Sequence, residues 1–280
     1  MVRLPLPKLI ALDLDETTLN RESQLSPGNR AALEAAVQRG CILVIASGRA
    51  FDTLPEEMLR FPGVQYAICG NGAAVYALPS RALLAHHTVP PEAVDQILTL
   101  SLGQNLTFEA FVAGCAYAQG DYIEDPTRYM CDPMTVHYVK ASRRPVVNIR
   151  AFLSQHRAEL DSLDLVVGDL EVKAHMTELL SEIPDVYITT SVPRLIEISH
   201  RDCGKHRGLE FLSNLLDIPQ KSICAFGNAD NDADMLSWAG CGIAVANSSP
   251  ACLAAANHVT GHFLEDGVAQ ALRDYFDITP

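Results

Sequence analysis

Short apolar runs that stop abruptly at polar residues recur at both ends of the chain. Leu9, Ile10, Ala11 and Leu12 form the first, and Asp13 and Asp15 follow it directly. A continuous run, unlike an alternating one, predicts a strand covered on both faces, as in a parallel sheet. "SPGNRAALEAAVQRG" (26–40) predicts a helix, with Ser26 as its cap, Pro27 in the first turn and Gly40 as its stop. "CILVIASGR" (41–49) is another apolar strand, "AFDTLPEEMLRF" (50–61) a helical stretch, and "QYAICGNGAAVYA" (65–77) carries the tight-turn signal Asn71-Gly72. Strand and helix in alternation predict a parallel sheet with helical crossovers.

From about residue 83 to about 192 the texture changes. "LTFEAFVAGCAYAQ", "RPVVNIRAFL", "LDLVVGD" and "DVYITTS" predict strands, with "PEAVDQILTLSL" and "VKAHMTELLSEI" as helices. Strands outnumber helices there, which predicts an α+β insert with a partly antiparallel sheet. From "RLIEIS" onward the first rhythm returns through "KHRGLEFLSNLL", "SICAFG", "ADMLSWAG", "GIAVAN", "SPACLAAAN", "HVTG" and "DGVAQALRDYF". Leu209, Leu212 and Leu216 fall at i, i+3 and i+7, one apolar stripe of a helix. The reading is therefore an α/β core of residues 1–82 and 193–280, interrupted by an α+β domain of residues 83–192.

Composition narrows the classes. With 280 residues and 48% hydrophobic composition the chain is long enough for a substantial core. A formal net charge of −13 argues against broad attraction to nucleic acid or an anionic membrane, so an anionic substrate needs a local cation. No stretch approaches the roughly 20 uncharged apolar residues of a spanning helix, and prolines and carboxylates interrupt the N-terminus before a signal-peptide core can form. Cys41, Cys69, Cys115, Cys131, Cys203, Cys224, Cys241 and Cys252 show no C-x-x-C pair or zinc-type spacing. Scattered cysteines inside apolar runs fit reduced thiols and a cytoplasmic location.

Four expected strand ends carry polar residues, at the edge where open α/β sheets bind ligands. These are Asp13 with Asp15, Ser47, the loop of Lys205, and "GNADNDADM" from Gly227. In extended chain, residues two apart face the same side, so Asp13 and Asp15 are expected to face one spot, which calls for a neighbouring positive charge. Singly, each has a plain reading. Ser47 can cap a helix, Lys205 can be a solvated loop lysine, and the acidic run can complement a helix N-terminus. A calcium loop is excluded, because Met235 stands where an EF-hand needs glycine and Cys241 where it needs its bidentate glutamate.

Together, in order and spacing, these stretches resemble the haloacid dehalogenase-like (HAD) phosphohydrolase superfamily. "DLDETTL" is similar to its D-x-D-x-T motif, "ASGR" to its Ser/Thr motif, "GKHRGLEFL" to its lysine motif and "AFGNADNDADML" to its final acidic motif. The last two, with "CGNGAAVY" and "GIAVANSSP…DGVAQAL", resemble the Cof-type subfamily of sugar and small-metabolite phosphatases. The resemblance implies a Rossmann-like core with an inserted cap that selects substrate. It also implies a Mg²⁺-dependent, cytoplasmic phosphatase of small phosphorylated metabolites, with neither nucleic acid nor membrane as partner. Asp13 would be the nucleophile and Asp15 the general acid and base. Ser47, Gly48, Lys205 and Asn231 would hold the phosphoryl group, and Asp13, Asp15, Asn228 and Asp232 the metal.

Two residues depart from the pattern. Asn228 stands where the family often has Asp, and Glu16 where glycine usually follows the second Asp. Tyr117, Tyr122, Arg128 and Tyr129 are polar and aromatic candidates for the insert's substrate contacts. A phosphosugar mutase on the same scaffold, or a phospho-acceptor sensor without turnover, are the competing functions. No G-x-x-x-x-G-K-[ST] or G-x-G-x-x-G follows a strand, which disfavours a nucleotide-binding module.

Overall fold

A computed structural model describes residues 3–129 and 133–280. Among the described residues fourteen strands run in chain order. β1 (Leu9–Leu12), β2 (Ile42–Ala46), β3 (Val64–Cys69), β4 (Ala74–Ala77) and β5 (Ala82–His86) come first. β6 (Leu106–Val112), β7 (Cys115–Gln119), β8 (Arg144–Val146), β9 (Leu160–Val167), β10 (Val186–Thr189) and β11 (Leu195–His200) follow, then β12 (Ile223–Gly227), β13 (Cys241–Ala244) and β14 (His258–Val259).

The first sheet has the order β14-β13-β12-β1-β2-β3-β4-β5. Its members from β14 to β3 pair in parallel, and β3 pairs antiparallel with β4. All four residues of β1 are buried, as expected for a central strand covered on both faces. The helix Pro27–Gln38 starts as its sequence predicts: Ser26 Oγ accepts from the Asn29 N–H at 3.1 Å, and Pro27 occupies the first turn. The expected α/β class with a central parallel sheet is what forms.

The second sheet has the order β10-β11-β9-β6-β7-β8, antiparallel throughout except for the β7/β8 pair. One face packs on helices around Phe108, Leu163, Leu165, Ile196 and Ile198. The other carries a row of acids, since Glu109 pairs with Asp164 and Asp164 with Glu197 across adjacent strands.

The chain divides into two compact units, one up to Gly48 with Leu54–Leu84 and everything from Gly204, the other Arg49–Thr53 with Ala85–Cys203. The second unit thus reaches past the expected boundary at residue 192. "RLIEIS" was expected to resume the core; its strand β11 instead pairs antiparallel with β9 and β10. Its apolar run comes from burial in the middle of an antiparallel sheet, which reads like a parallel core strand. Arg49–Thr53 joins the second unit because Ala50 packs on Phe111 and Ala116, and the Asp52 N–H donates to Gly114 O at 3.0 Å.

Local corrections have local causes. "RPVVNIRAFL" is a three-residue strand followed by the helix Ile149–Gln155, because Asn148 caps it by accepting from the Ala151 N–H. "LTFEAFVAGCAYAQ" is a hairpin turned at Ala113 and Gly114, both at positive φ. "AFDTLPEEMLRF" keeps only a 3₁₀ turn and the helix Glu56–Leu59, which Pro55 separates. The seven described cysteines are all free thiols, and Cys131 lies outside the described residues. Among the described residues no helix is long and apolar enough to cross a membrane.

Candidate active site

Neighbouring parallel strands put their carboxyl ends side by side, so the residues after β1, β2, β3 and β12 meet at one edge of the first unit. Asp13 follows β1, and its N–H still donates to Phe226 O at 3.1 Å, which carries the ladder one residue past the strand. The Thr18 hydroxyl donates to Asp13 O at 2.6 Å and closes the turn behind it. The Asp13 side chain is buried, with 6% of the residue exposed.

Asp15 is exposed, whereas Asp13 and the intervening Leu14 are buried. The Asp15 charge still bears on Asp13. Glu16 sits in the left-handed region at φ 54, which explains why glycine suits the position, and its carboxylate takes the Arg21 Nε–H at 2.6 Å. The departure at Glu16 is therefore an outward ion pair.

Lys205 opens the helix Lys205–Leu215 and is 1% exposed. Its Nζ donates to Asp13 Oδ1 at 2.7 Å and to Asp232 Oδ1 at 2.6 Å. Burial alone pushes the ammonium down, but the two carboxylates outweigh it and hold Lys205 above its ordinary value. Burial and then the Asp232 charge raise Asp13 to about 7, against the pull of Lys205 and with a lesser push from Asp15. The plain reading of Lys205 as a solvated lysine is thereby excluded.

Asp232 is fully buried in the 3₁₀ turn Asp230–Asp232. Besides Lys205 it accepts the N–H groups of Asn228 and Ala229 on Oδ2, at 3.0 and 3.1 Å. These bonds fold the loop after β12 onto the carboxylate, and Gly227 permits it, since a Cβ there would lie 2.5 Å from Asp232 Cβ. Asn228 is half-buried. Ser47, 1% exposed, follows β2 and is fixed by its N–H to Ile68 O at 2.9 Å; Gly48 beside it is half-buried. Asn231 is 4% exposed and donates through Nδ2 to Asn71 Oδ1 at 3.0 Å.

Asn71 was visible in the sequence as a turn residue within the family-like stretch "CGNGAAVY", with no role in the site assigned to it. Thr17, the threonine of the D-x-D-x-T stretch, has its hydroxyl buried with no hydrogen-bond partner among the described residues. Among the candidates in the second unit, Tyr122 is buried and donates to Glu109 Oε1 at 3.0 Å. Tyr117 is half-buried against Phe152, Arg128 is exposed, and Tyr129 meets Tyr122 edge to face.

Among the described residues no three His, Cys, Asp or Glu side chains group as a metal cluster. A hard cation nevertheless fits the charge and donors of this edge. Asp13, Asp15 and Asp232 outnumber Lys205, and burial first, then the Asp232 charge, disfavours the ionised form of Asp13. The nearby donors are carboxylate, amide and backbone oxygens, the set Mg²⁺ takes, with water completing it. Asp232 already accepts three N–H bonds, which leaves Asp13 and the Asn228 amide the less committed side chains.

The parallel sheet of the first unit thus carries a buried Asp–Lys–Asp bridge at its carboxyl edge. The profile of the haloacid dehalogenase-like hydrolases matches residues 10–272, and the chain belongs to that family. It is 26% identical over 278 residues to the 5-amino-6-(5-phospho-D-ribitylamino)uracil phosphatase YitU of Bacillus subtilis, covering 97% of this chain and 98% of that one. It is 27% identical over 272 residues to the HMP-PP phosphatase of Cronobacter sakazakii, covering 96% of each. In fold it is similar to a haloacid dehalogenase-like hydrolase from B. subtilis, with TM-score 0.83 at 24% identity, covering 95% of this chain and 99% of that one.

Proposed function

We propose that the protein is a Mg²⁺-dependent phosphatase that hydrolyses small phosphorylated metabolites, sugar phosphates among them, through an aspartyl-phosphate on Asp13. The observation that carries this reading is the buried Lys205 ammonium shared by Asp13 and Asp232. It supplies the local cation that a chain of net charge −13 needs for an anionic substrate. The phosphatase names of relatives spanning nearly the whole chain support it.

In the first step an Asp13 carboxylate oxygen attacks phosphorus, the ester P–O bond breaks, and Asp15 gives its proton to the departing alkoxide. Exposed Asp15 can exchange that proton with solvent, whereas buried Asp13 cannot easily do so. In the second step Asp15 takes a proton from water as its oxygen bonds to phosphorus, and the Asp13–phosphorus bond breaks to release inorganic phosphate. Lys205, Ser47, the Gly48 backbone and Asn231 hold the non-bridging oxygens on which charge gathers. Asp13, the Asp15 carbonyl, Asn228 and Asp232 would hold Mg²⁺, which when bound neutralises phosphoryl charge and keeps Asp13 ionised. We assign substrate choice to the inserted second unit.

The test is steady-state hydrolysis of p-nitrophenyl phosphate. Turnover with Mg²⁺, lost on chelation and in Asp13→Asn, is expected; unaltered turnover in that variant ends the proposal. A panel of sugar phosphates together with the ribitylaminouracil phosphate named for YitU then ranks substrates.

A further inference from the structure

Asn71 is bonded to three of the loops assigned to phosphate handling. Its N–H donates to Ser47 O at 3.2 Å, and its carbonyl accepts the N–H of Gly204, next to Lys205, at 2.7 Å. Its side-chain Oδ1 accepts from Asn231 Nδ2 at 3.0 Å, a residue 160 positions further along the chain. The residue is 5% exposed and adopts φ 52, ψ 37, a left-handed conformation that Asn tolerates better than most side chains.

The surrounding backbone leaves no slack. At Gly72, φ +96, a Cβ would lie 2.3 Å from Gly204 O, so the two loops are in backbone contact. A plain turn needs only positive φ, which glycine supplies at less cost. It has no use for a buried amide directed at a distant loop. The Asn231 amide carries two N–H groups, and its Oδ1 is buried with no hydrogen-bond partner among the described residues. With one N–H held by Asn71, the plane of the amide is set and the second N–H is left for a phosphoryl oxygen.

We propose that Asn71 is a positioning residue: it ties the Ser47, Lys205 and Asn231 loops together and orients the Asn231 amide for the phosphoryl group. The assignment rests on the reading of Asn231 as a phosphate ligand. Asn71 acts through Asn231 and need not touch the substrate.

Asn71→Gly isolates the side chain, because glycine keeps the left-handed backbone and both backbone hydrogen bonds. It is expected to lower kcat on p-nitrophenyl phosphate about tenfold and to raise the inhibition constant of inorganic phosphate about tenfold, the scale of one lost buried hydrogen bond. In Asn231→Ala the same change is expected to have almost no further effect; multiplicative losses in the double variant overturn the proposal. A readout independent of turnover is the side-chain NH₂ resonance pair of Asn231, identified by its absence in Asn231→Ala. Slow hydrogen exchange is expected in the native protein and in Asn71→Asp, which keeps the acceptor, and fast exchange in Asn71→Gly. Equal exchange in all three, or equal loss in both variants, overturns it. A native protein that releases no phosphate sinks the functional reading instead, and the exchange measurement still decides the role of Asn71.

Discussion

Lys205 and Asp13 stand 192 positions apart in sequence and meet at 2.7 Å, the lysine ammonium donating to the carboxylate while a second bond reaches Asp232. Both partners are buried, so the bridge is not a surface pair of marginal worth. Removing its cation strands two carboxylates in a dry site.

Lys205→Met is therefore expected to lower kcat/KM on p-nitrophenyl phosphate by roughly 10²- to 10³-fold, as for loss of a group that stabilises transition-state charge. Lys205→Arg is not expected to rescue it, because a planar guanidinium does not fit a fully enclosed point-charge site. Parallel steady-state kinetics on the two variants check both statements.

A pH dependence of stability follows from Asp13. Burial, then Asp232, lift its carboxyl from 3.8 to about 7. The folded state binds that proton more tightly than the unfolded chain, so the stability it contributes is present below the unfolded value and lost as pH rises through the folded one. Asp164 adds to the same trend, raised by burial and then by Glu197 and Glu109. The metal-free protein should lose melting temperature between about pH 4 and about pH 7, and the loss should be smaller in Asp13→Asn. Mg²⁺ should raise the melting temperature more at about pH 8 than at about pH 5.

Gly227 is a steric test of the acidic loop. In Gly227→Ala the new Cβ meets Asp232 Cβ at 2.5 Å and Cγ at 2.6 Å, with no flexible end to give way. The loop must shift, costing on the order of 1–3 kcal/mol in stability. Activity should fall further than the melting temperature alone explains, which calorimetry and kinetics on the same preparation separate.

In the inserted unit, Arg143 holds the acid row together. Its Nε donates to Glu109 Oε2 at 2.8 Å, and its charge partly opposes the rise that burial, Glu197 and Glu109 impose on Asp164. Arg143→Met leaves Glu109 buried without that partner and is expected to destabilise the fold by about 3–5 kcal/mol. Glu109→Gln, which keeps the Tyr122 contact, should cost less. Chemical denaturation of both variants measures the difference.

Much of the core was legible because its strands are continuous apolar runs and its polar residues stand where those runs end. Asp13, Ser47 and Asp232 follow β1, β2 and β12, whose ends a parallel sheet brings together, whereas Lys205 comes from the first turn of a helix after β11. The difference in burial between Asp13 and Asp15 was not legible, because it depends on how the loop after β1 packs. Asn71 was legible as a turn in a family-like stretch but without a role, since its bond to Asn231 depends on tertiary proximity that no local pattern encodes. β11 was misplaced for a related reason: a central antiparallel strand and a core parallel strand share the same apolar signature.

Acid quenching during turnover, followed by peptide mass mapping, tests the central claim most directly. The peptide containing Asp13 should carry one added phosphoryl group, absent from Asp13→Asn and increased when Asp15→Ala slows hydrolysis of the intermediate. A phosphoryl group on another residue, or turnover that persists in Asp13→Asn with no trapped species, contradicts the account.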